Sequence, residues 1–410
     1  IVKEREQEEN KMLQGKTVLL GVTGGIAAYK MPNVARMLKK MHCNVHVLMT
    51  QNATNFITAT TFETLTGNKC LIDTFDRNFE FSVEHVALAK QADLVLLAPA
   101  TANVIGKIAN GIADDMLTTT VMACTCKVLV APAMNHNMYH NSIVQENLEK
   151  LKRHGYEMID PVCGMLANGD TGDGKLPSEE TLVEYVLREL AFEKDMQGLK
   201  VLVTAGPTQE AIDPVRFISN HSTGKMGYAI AKNAMLRGAE VTLVTGRTAL
   251  EPPMFVKTVP VTSAKDMYQA VMECAKEQDI IVKAAAVADY TPAHTADEKI
   301  KKSEGELSLA LEKTTDILAE LGKNKGNTVL CGFSMETEHM LENSRAKRKK
   351  KNLDMIAANN LKQQGAGFAG DTNVLTLITE DWEKELALMS KDEAAKCLLD
   401  ELLKIKKNKK

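Results

Sequence analysis

The sequence predicts an α/β protein with two doubly wound, Rossmann-like domains, each built on a parallel sheet. Its 410 residues exceed what a single hydrophobic core usually serves. The stretches QGKTVLLGVTGG at 14–25 and QGLKVLVTAGPT at 197–208 form a near-repeat, and each is typical of a buried strand that enters a glycine-containing turn. After each copy, short apolar runs alternate with helix-length segments, which favours parallel strands joined by helical crossovers.

The predicted elements follow this alternation through both halves. In the first half we predict strands at residues 18–22, 44–49, 94–98 and 128–131, closed by a helix at 178–192. In the second half we predict strands at residues 201–203, 241–245, 280–284, 328–332 and 355–358, with a charged, glycine-containing loop at 297–306. The predicted domain organisation is a charged tail at 1–14, a first domain at 15–192, a linker at 193–197 and a second domain at 198–410.

Composition excludes several classes of protein. Fifty basic and 53 acidic side chains give a formal charge of −3, which argues against a dedicated nucleic-acid binder. Apolar runs are far shorter than the roughly 20 residues that a membrane helix needs, and the charged start lacks an apolar signal core. Eight cysteines without repeated CxxC pairs predict reduced thiols and no metal cluster. We therefore expect a cytoplasmic protein with no membrane or nucleic-acid partner.

Small and polar residues follow several of the predicted strands of the first half. Gly24 and Gly25 in GVTGGIAAYK let backbone amides approach a phosphate, although a glycine turn alone is equally compatible with a purely structural role. PATAN at 99–103 and PAMNHNMY at 132–139 also follow strands, at the sheet edge where doubly wound domains bind ligands. These motifs together favour a ligand site.

The motifs carry a resemblance to known families. PATAN, PAMNHNMY, SVEHV at 82–86 and NGIADDML at 110–117 resemble the flavin-dependent cysteine decarboxylases, which implies that the first domain of this chain is flavodoxin-like. DPVRFISNHSTGKMG at 213–227, AAAVADY at 284–290 and EKIKK at 298–302 resemble the bacterial phosphopantothenate-cysteine ligases. In this order the two halves resemble the bifunctional proteins of coenzyme A biosynthesis, from about Gly15 to the C-terminal helix.

For the first domain, the resemblance implies decarboxylation of phosphopantothenoylcysteine to 4′-phosphopantetheine with FMN, which oxidises the substrate thiol so that the carboxylate can leave. His85 would handle the thiol proton, and Asn135 would hold the carboxylate. For each residue alone, a capping or surface role is the simpler interpretation. The resemblance assigns the FMN contacts to Gly24, Gly25, Thr50, Ala98 and Thr101.

One position departs from the family pattern. Where the family's substrate-covering segment carries a cysteine that protonates the product enethiolate, this chain has Asn168, and an amide cannot donate a proton as a thiol does. Either the final reduction is impaired, or Cys163, five residues earlier, replaces the missing thiol.

For the second domain, the resemblance implies ligation of 4′-phosphopantothenate to cysteine with CTP and magnesium, through an acyl-cytidylate. Lys299 would support acyl-cytidylate formation and Asn220 would bind that intermediate. Without the motif at 284–290, the simpler interpretation of the lysines is a charged loop and a solvated helix face. The resemblance assigns the nucleotide contacts to Gly206, Asp289, Lys299, Phe333, Lys347 and Lys351.

The family assembles decarboxylase trimers and ligase dimers, so the resemblance implies a homo-oligomer. Three alternatives remain at this point: a ligase whose first domain only binds flavin or holds the oligomer, a regulatory binding protein, and a nicotinamide dehydrogenase. The ligase motifs count against the regulatory protein. Neither half carries the spaced G-x-G-x-x-G of a dehydrogenase at the turn after its first predicted strand.

Overall fold

Two parallel sheets organise the chain, one in each of two units that divide after Phe192. The computed structural model describes residues 11–75, 84–165, 169, 171–301, 308–336, 339–360 and 370–409. Within these ranges, none of the helices combines the length and the apolar character that spanning a lipid bilayer requires.

The first unit contains a five-stranded sheet and a separate hairpin. Its strands are β1 (Thr17–Val22), β2 (Asn44–Met49), β3 (Leu94–Ala100), β4 (Lys127–Pro132), β5 (Glu157–Met158), β6 (Val162–Met165) and β7 (Thr171–Lys175). Its helices are α1 (Met31–Lys40), α2 (Ala59–Thr66), α3 (Glu84–Gln91), α4 (Ala102–Ala109), α5 (Met116–Ala123), α6 (His136–Tyr139), α7 (Ser142–Arg153) and α8 (Glu179–Leu190), with 3₁₀ turns at Ile26–Lys30 and Gln51–Asn55.

The five strands lie parallel in the order β2–β1–β3–β4–β5, which is the flavodoxin-like order. This confirms the predicted fold class of the first half. Every residue of β1 and β3 is buried, because helices cover both faces of a doubly wound sheet. The apolar runs that predicted these strands are a direct consequence of that double burial.

The second unit has an eight-stranded sheet and three separate two-stranded sheets. Its strands are β8 (Lys200–Ala205), β9 (Gln209–Ala211), β10 (Phe217–Ser219), β11 (Glu240–Thr245), β12 (Lys257–Pro260), β13 (Ile280–Lys283), β14 (Tyr290–Pro292), β15 (Leu311–Lys313), β16 (Val329–Glu336), β17 (Met355–Asn360), β18 (Thr372–Asn373), β19 (Leu375–Ile378), β20 (Glu383–Glu385) and β21 (Met389–Ser390). Its helices are α9 (Lys225–Leu236), α10 (Ala264–Cys274), α11 (Ile317–Lys323), α12 (Met340–Lys350) and α13 (Lys391–Asn408), with a 3₁₀ turn at Ala275–Glu277.

The main sheet of this unit has the order β12–β11–β8–β13–β16–β17, all parallel, which is the Rossmann order. Two antiparallel strands, β19 and β20, extend it beyond β17 and were absent from the sequence prediction. For β20 the reason is that it is a three-residue charged segment, Glu-Lys-Glu, exposed along its length, which has no apolar pattern to reveal a strand.

Both sheets have a topological switch point, where crossovers leave neighbouring strands in opposite directions. It lies between β1 and β3 in the first unit and between β8 and β13 in the second. Ligands of doubly wound domains bind outside the carboxyl ends of the strands at this point. Of the predicted loop at 297–306, residues 297–301 form neither helix nor strand, and 302–306 lie outside the described residues.

Candidate active sites

The first unit has a cavity of about 640 Å³ at the carboxyl ends of its central strands. Glycines, alanines and methionines make up much of its wall. The lining residues are Gly24, Gly25, Ile26, Ala27, Tyr29, Lys30, Thr101, Ala102, Ala133, Met134, Asn135, Met138, Met165, Gly174, Lys175 and Leu176. Such a wall suits a flat, largely apolar ring system better than a chain of charges.

The two glycines in the turn after β1 differ in how much space surrounds them. A Cβ on Gly24 would lie 2.5 Å from the Cβ of Asn52, whereas a Cβ on Gly25 would meet only the Thr101 methyl, at 3.6 Å. Gly24 is therefore required by the protein's own packing, and Gly25 leaves open space in the cavity.

Buried hydrogen bonds hold the turn after β1 against the end of β3. The Thr23 hydroxyl donates to the Pro99 carbonyl at 2.6 Å and accepts from the Thr101 backbone N–H at 3.0 Å. Thr23 is fully buried. The backbones that flank the cavity are thereby fixed before any ligand binds.

Asn135 lies in the cavity wall as the N-cap of α6, where its Oδ1 accepts from the Asn137 N–H at 2.9 Å. Its Nδ2 has no hydrogen-bond partner among the described residues and is available to a ligand oxygen. The β6–β7 hairpin packs beside it: the Met134 N–H donates to the Gly174 carbonyl at 3.0 Å. Gly174 has φ +121°, and a Cβ there would lie 2.3 Å from the Met134 oxygen.

The structure brings together four of the residues predicted for this site: Gly24, Gly25, Thr101 and Asn135. The others lie elsewhere or are not described. Thr50 is buried and caps the 3₁₀ turn that follows it, and Ala98 is buried within β3; neither lines the cavity. His85 is half-buried in α3, outside the cavity wall. Asn168 lies outside the described residues, and Cys163 is exposed on β6.

Next to Asn135, three possible metal ligands come together, although the sequence analysis assigned no metal cluster. Donor atoms of His136, His140 and Asp173 all lie within 4.8 Å of one another. The Asp173 N–H donates to His136 Nδ1 at 3.2 Å, and its carboxylate lies 3.2 Å from His140 Nε2. These contacts join α6 to the β6–β7 hairpin without any ion.

The second unit has a cavity of about 490 Å³ at the carboxyl ends of β13 and β16 and beside the start of α9. Charged and polar side chains mark it. The lining lysines are Lys225, Lys283, Lys347, Lys351 and Lys391, and the lining carboxylates are Asp289 and Asp316. The excess of positive charge suits a polyanionic ligand.

The predicted residues of the basic helix α12 and its C-cap reach this cavity. Lys347 Nζ donates to the Phe333 carbonyl at 3.2 Å, and Lys351 Nζ lies 2.7 Å from the Asp316 carboxylate. Burial and the neighbouring Lys351 lower the pKa of Lys347. The simpler interpretation of this basic run, a helix face exposed to solvent, therefore does not describe Lys347 or Lys351.

Asn220 and Asp289 also line the cavity, and Asn220 Nδ2 donates to the Ala286 carbonyl at 3.0 Å. Gly206 and Lys299 do not line it. Gly206, with φ +73°, packs against the Gly246 backbone, where a Cβ would come within 3.0 Å of the carbonyl oxygen. Lys299 is exposed.

Asp213 anchors the segment that carries Lys299. Its buried carboxylate accepts from the N–H groups of Val215, Arg216 and Ile300 and from the Arg216 guanidinium, which also donates to the Ile300 carbonyl at 2.8 Å. The Arg216 guanidinium holds the pKa of this carboxyl far below its ordinary value. Sequence reasoning missed Asp213, Asp316 and Lys283 as parts of this site.

Two doubly wound units with a ligand cavity at each switch point define a two-domain α/β enzyme, and comparisons identify which one. The Flavoprotein family profile matches residues 6–191, and the profile of the DNA/pantothenate metabolism flavoprotein C-terminal domain matches residues 196–405. Relatives that are 42–45% identical over 95–97% of this chain are bifunctional proteins of coenzyme A biosynthesis, so the chain belongs to that family, with a flavoprotein decarboxylase domain followed by a ligase domain. This confirms the resemblance inferred from the motifs.

Named relatives span nearly the whole chain. The coenzyme A biosynthesis bifunctional protein CoaBC of Bacillus subtilis (strain 168) is 45% identical over 400 residues, 97% of this chain and 98% of the relative. That of Escherichia coli (strain K12) is 42% identical over 395 residues, 95% of this chain and 97% of the relative. A crystal structure of the C-terminal domain of a CoaBC protein is 41% identical and covers 53% of this chain and 100% of that chain, with a TM-score of 0.46.

Proposed function

We propose that the second unit joins 4′-phosphopantothenate to cysteine with CTP, and that the first unit then decarboxylates the product, phosphopantothenoylcysteine, with FMN. The observation that carries this proposal is the contrast between the two switch-point cavities. One is walled by small and apolar residues, and the other by five lysines.

In the ligase reaction, the carboxylate of phosphopantothenate attacks the α-phosphorus of CTP, and the bond to pyrophosphate breaks. The cysteine amine then attacks the acyl carbon, loses a proton, and CMP leaves. Negative charge builds on the phosphate oxygens in the first step, so the ammonium groups of Lys347 and Lys351 are suited to stabilise it.

Asn220 and Lys299 are proposed to act on the acyl-cytidylate. Asn220 lies in the cavity wall and offers an uncharged amide, which can orient the intermediate without adding charge. Lys299 lies outside the cavity wall, and we propose that it reaches the intermediate from the segment that Asp213 anchors through Ile300. We propose that magnesium enters bound to the triphosphate, with Asp289 as the carboxylate of the cavity that can contact it, because this carboxylate has no ion pair among the described residues.

The first cavity fits FMN in two respects. The open space above Gly25 suits a phosphate, and the apolar wall around Met134 and Met138 suits the ring. When bound, FMN supplies the two-electron oxidation of the substrate thiol. We propose that Nδ2 of Asn135 donates to the substrate carboxylate, which holds it without a counter-charge, and that His85 accepts the thiol proton.

Asn168 bears on the last half-reaction. Because an amide has no acidic proton to give, we propose that decarboxylation proceeds and that the final reduction is slow unless Cys163 supplies the proton. Mass analysis of the product decides this. The proposal is supported if the native chain accumulates oxidised product and Asn168→Cys forms phosphopantetheine instead. Fully reduced product at a normal rate in both the native chain and Cys163→Ser contradicts it. Loss of reduced product in Cys163→Ser would assign the proton to Cys163.

The central experiment supplies phosphopantothenate, cysteine, CTP and magnesium to the purified protein. Pyrophosphate release and the masses of the thiol products are then followed. We expect one pyrophosphate for each amide formed, and loss of carbon dioxide only when the protein carries flavin. Pyrophosphate release without any carbon dioxide, in flavin-loaded protein, would instead support the ligase-only alternative.

We further propose a cytoplasmic homo-oligomer in which decarboxylase domains form trimers and ligase domains form dimers. Exposed apolar side chains support this, because several lie on each unit. Examples are Tyr29 and Ile143 in the first unit and Val215 and Phe217 in the second. Light scattering of the full chain should give a mass that corresponds to a number of chains divisible by both two and three. A monomer would contradict the proposal.

A further inference from the structure

Lys283 is a cation in the second cavity to which the preceding mechanism assigns no role. It is the last residue of β13, directly after the buried apolar residues Ile280, Ile281 and Val282. It pairs in register with Thr204 of β8, the other strand of the switch point. The side chain lines the cavity, so this lysine stands where doubly wound domains bind their ligands.

The Lys283 ammonium has neither a hydrogen bond nor an ion pair within the described ranges of the chain. Its neighbours do not compensate for it. Lys347 and Lys351 are both close enough to repel it, and the nearby Asp316 carboxylate is engaged by Lys351 at 2.7 Å. Asp289 also lines the cavity and is exposed. Three lysines therefore share one ion-paired carboxylate and one exposed one.

Such an arrangement is costly in the free protein. Desolvation and repulsion by Lys351 and Lys347 lower the pKa of Lys283 to about 8, against partial compensation from Asp316 and Asp289. An apolar residue would fit the end of this strand at no such cost. A lysine here is therefore best explained by an anion that enters the cavity.

We propose that Lys283 binds the polyphosphate chain of the nucleoside triphosphate, as a third phosphate-binding lysine beside Lys347 and Lys351. The inference rests on the proposed use of a triphosphate by the second unit. A phosphate-binding side chain at the end of β13 would thus act together with the two lysines of α12 and its C-cap.

Binding of a polyanion at this position has a measurable consequence for protons. Phosphate oxygens favour the charged ammonium and raise the pKa of Lys283, so at about pH 8 the protein takes up roughly half a proton per site. At about pH 6 Lys283 is already charged, and this uptake vanishes. The ionisable groups that face it are Lys347, Lys351, Asp316 and Asp289.

The test is calorimetric titration of the full chain with CTP and, separately, with inorganic tripolyphosphate, in two buffers of different ionisation enthalpy. Lys283→Met removes the charge, and Lys283→Arg keeps a charge that does not titrate. We expect Met to weaken both ligands by about tenfold to a hundredfold and Arg to bind nearly as the native chain does. At pH 8 both variants should take up fewer protons on binding than the native chain does, by the same amount. The ligand's own titration is common to all three proteins, so it cancels in this difference.

A second measurement separates a ligand group from a structural one. Because Lys283→Met removes a poorly compensated cation, the unliganded variant should unfold at a higher temperature than the native chain, and CTP should raise that temperature less. A lower unfolding temperature with unchanged CTP affinity would overturn the inference. If Lys283→Met bound CTP and took up protons as the native chain does, the inference about Lys283 would be overturned and the proposed ligase function would stand. If the native chain bound neither CTP nor tripolyphosphate, both would be overturned.

Discussion

The two cavities occupy equivalent positions in their sheets, yet their walls have opposite chemistry. In the first unit, the turn after β1 approaches the cavity with glycine and alanine, and its Lys30 is already 3.8 Å from Glu179. In the second unit, the ends of β13 and α12 direct lysines into the cavity, and Lys283 has no described partner. The fold therefore decides where a ligand lies, and the side chains at the strand ends decide which charge it carries.

The largest expected effects are reciprocal losses of one activity. His85→Asn should lower decarboxylation by about a hundredfold or more and leave pyrophosphate release intact, because the proton transfer proposed for His85 belongs to the reaction of the first unit alone. Lys299→Met should do the reverse. Separate assays of carbon dioxide, from supplied phosphopantothenoylcysteine, and of pyrophosphate measure both. A variant that lowers both activities equally would show that the cavities are not independent.

The glycine turn offers a matched pair. Gly24→Ala places a methyl 2.5 Å from the Cβ of Asn52, so we expect destabilisation of the first unit by about 1–3 kcal/mol and at least a tenfold loss of flavin affinity. Gly25→Ala has 3.6 Å of clearance and should keep the native unfolding temperature. Flavin absorbance and thermal unfolding are the measurements. Equal unfolding temperatures in the two variants would contradict the packing argument.

Asp213→Asn should lower ligation several-fold, up to about tenfold, because the Lys299 segment loses its charged anchor at Ile300. The carboxyl pKa is lowered in the folded state by Arg216, so its contribution to stability is present above the ordinary carboxyl range. It is lost as the pH falls below about 4 toward the folded-state pKa.

Thermal unfolding at a series of pH values checks this sign. The native chain should unfold at a higher temperature than Asp213→Asn near neutral pH, and this difference in unfolding temperature should shrink as the solution is acidified. An unfolding temperature difference that stays constant from neutral pH to about pH 3 would show that Asp213 does not contribute through its charge.

The smallest expected effect is a gain. Asp316→Asn releases Lys351 from its ion pair and raises the positive charge of the second cavity, while asparagine still caps α11, where Asp316 accepts from the Ala319 N–H at 3.1 Å. CTP should therefore bind a few-fold more tightly at low salt, and the gain should shrink as salt is added. Tighter binding that is independent of salt, or weaker binding, would contradict an electrostatic origin.

How far the sequence predicted the fold depends on burial. The strand at 94–98 was predictable because β3 is buried on both faces, so that every residue is apolar or small. The edge strand β20 was not, because a solvent-exposed strand has no reason to be apolar. The hairpin of β6 and β7 was also missed, since its glycines serve separate close contacts, Gly174 with the Met134 carbonyl and Gly172 with the His136 ring, rather than a repeating pattern.

The candidate sites divide in the same way. Gly24, Thr101 and Asn135 follow strands within recognisable motifs, and the parallel sheet brings strand ends to one edge, so their proximity could be foreseen. Lys283 looks like the polar end of an apolar strand, and Asp316 stands more than 30 residues further along the chain. That these two charges face the same cavity as Lys347 and Lys351 depends on how the crossovers fold.

Local pattern was thus sufficient to predict the α/β class, because burial of a parallel sheet imposes a repeating apolar signature on the chain. Which ionisable groups share a cavity, and which of them lack a counter-charge, emerged only from the folded arrangement. Electrostatic energy depends on distances in space and on exclusion of water, and neither is set by separation along the chain.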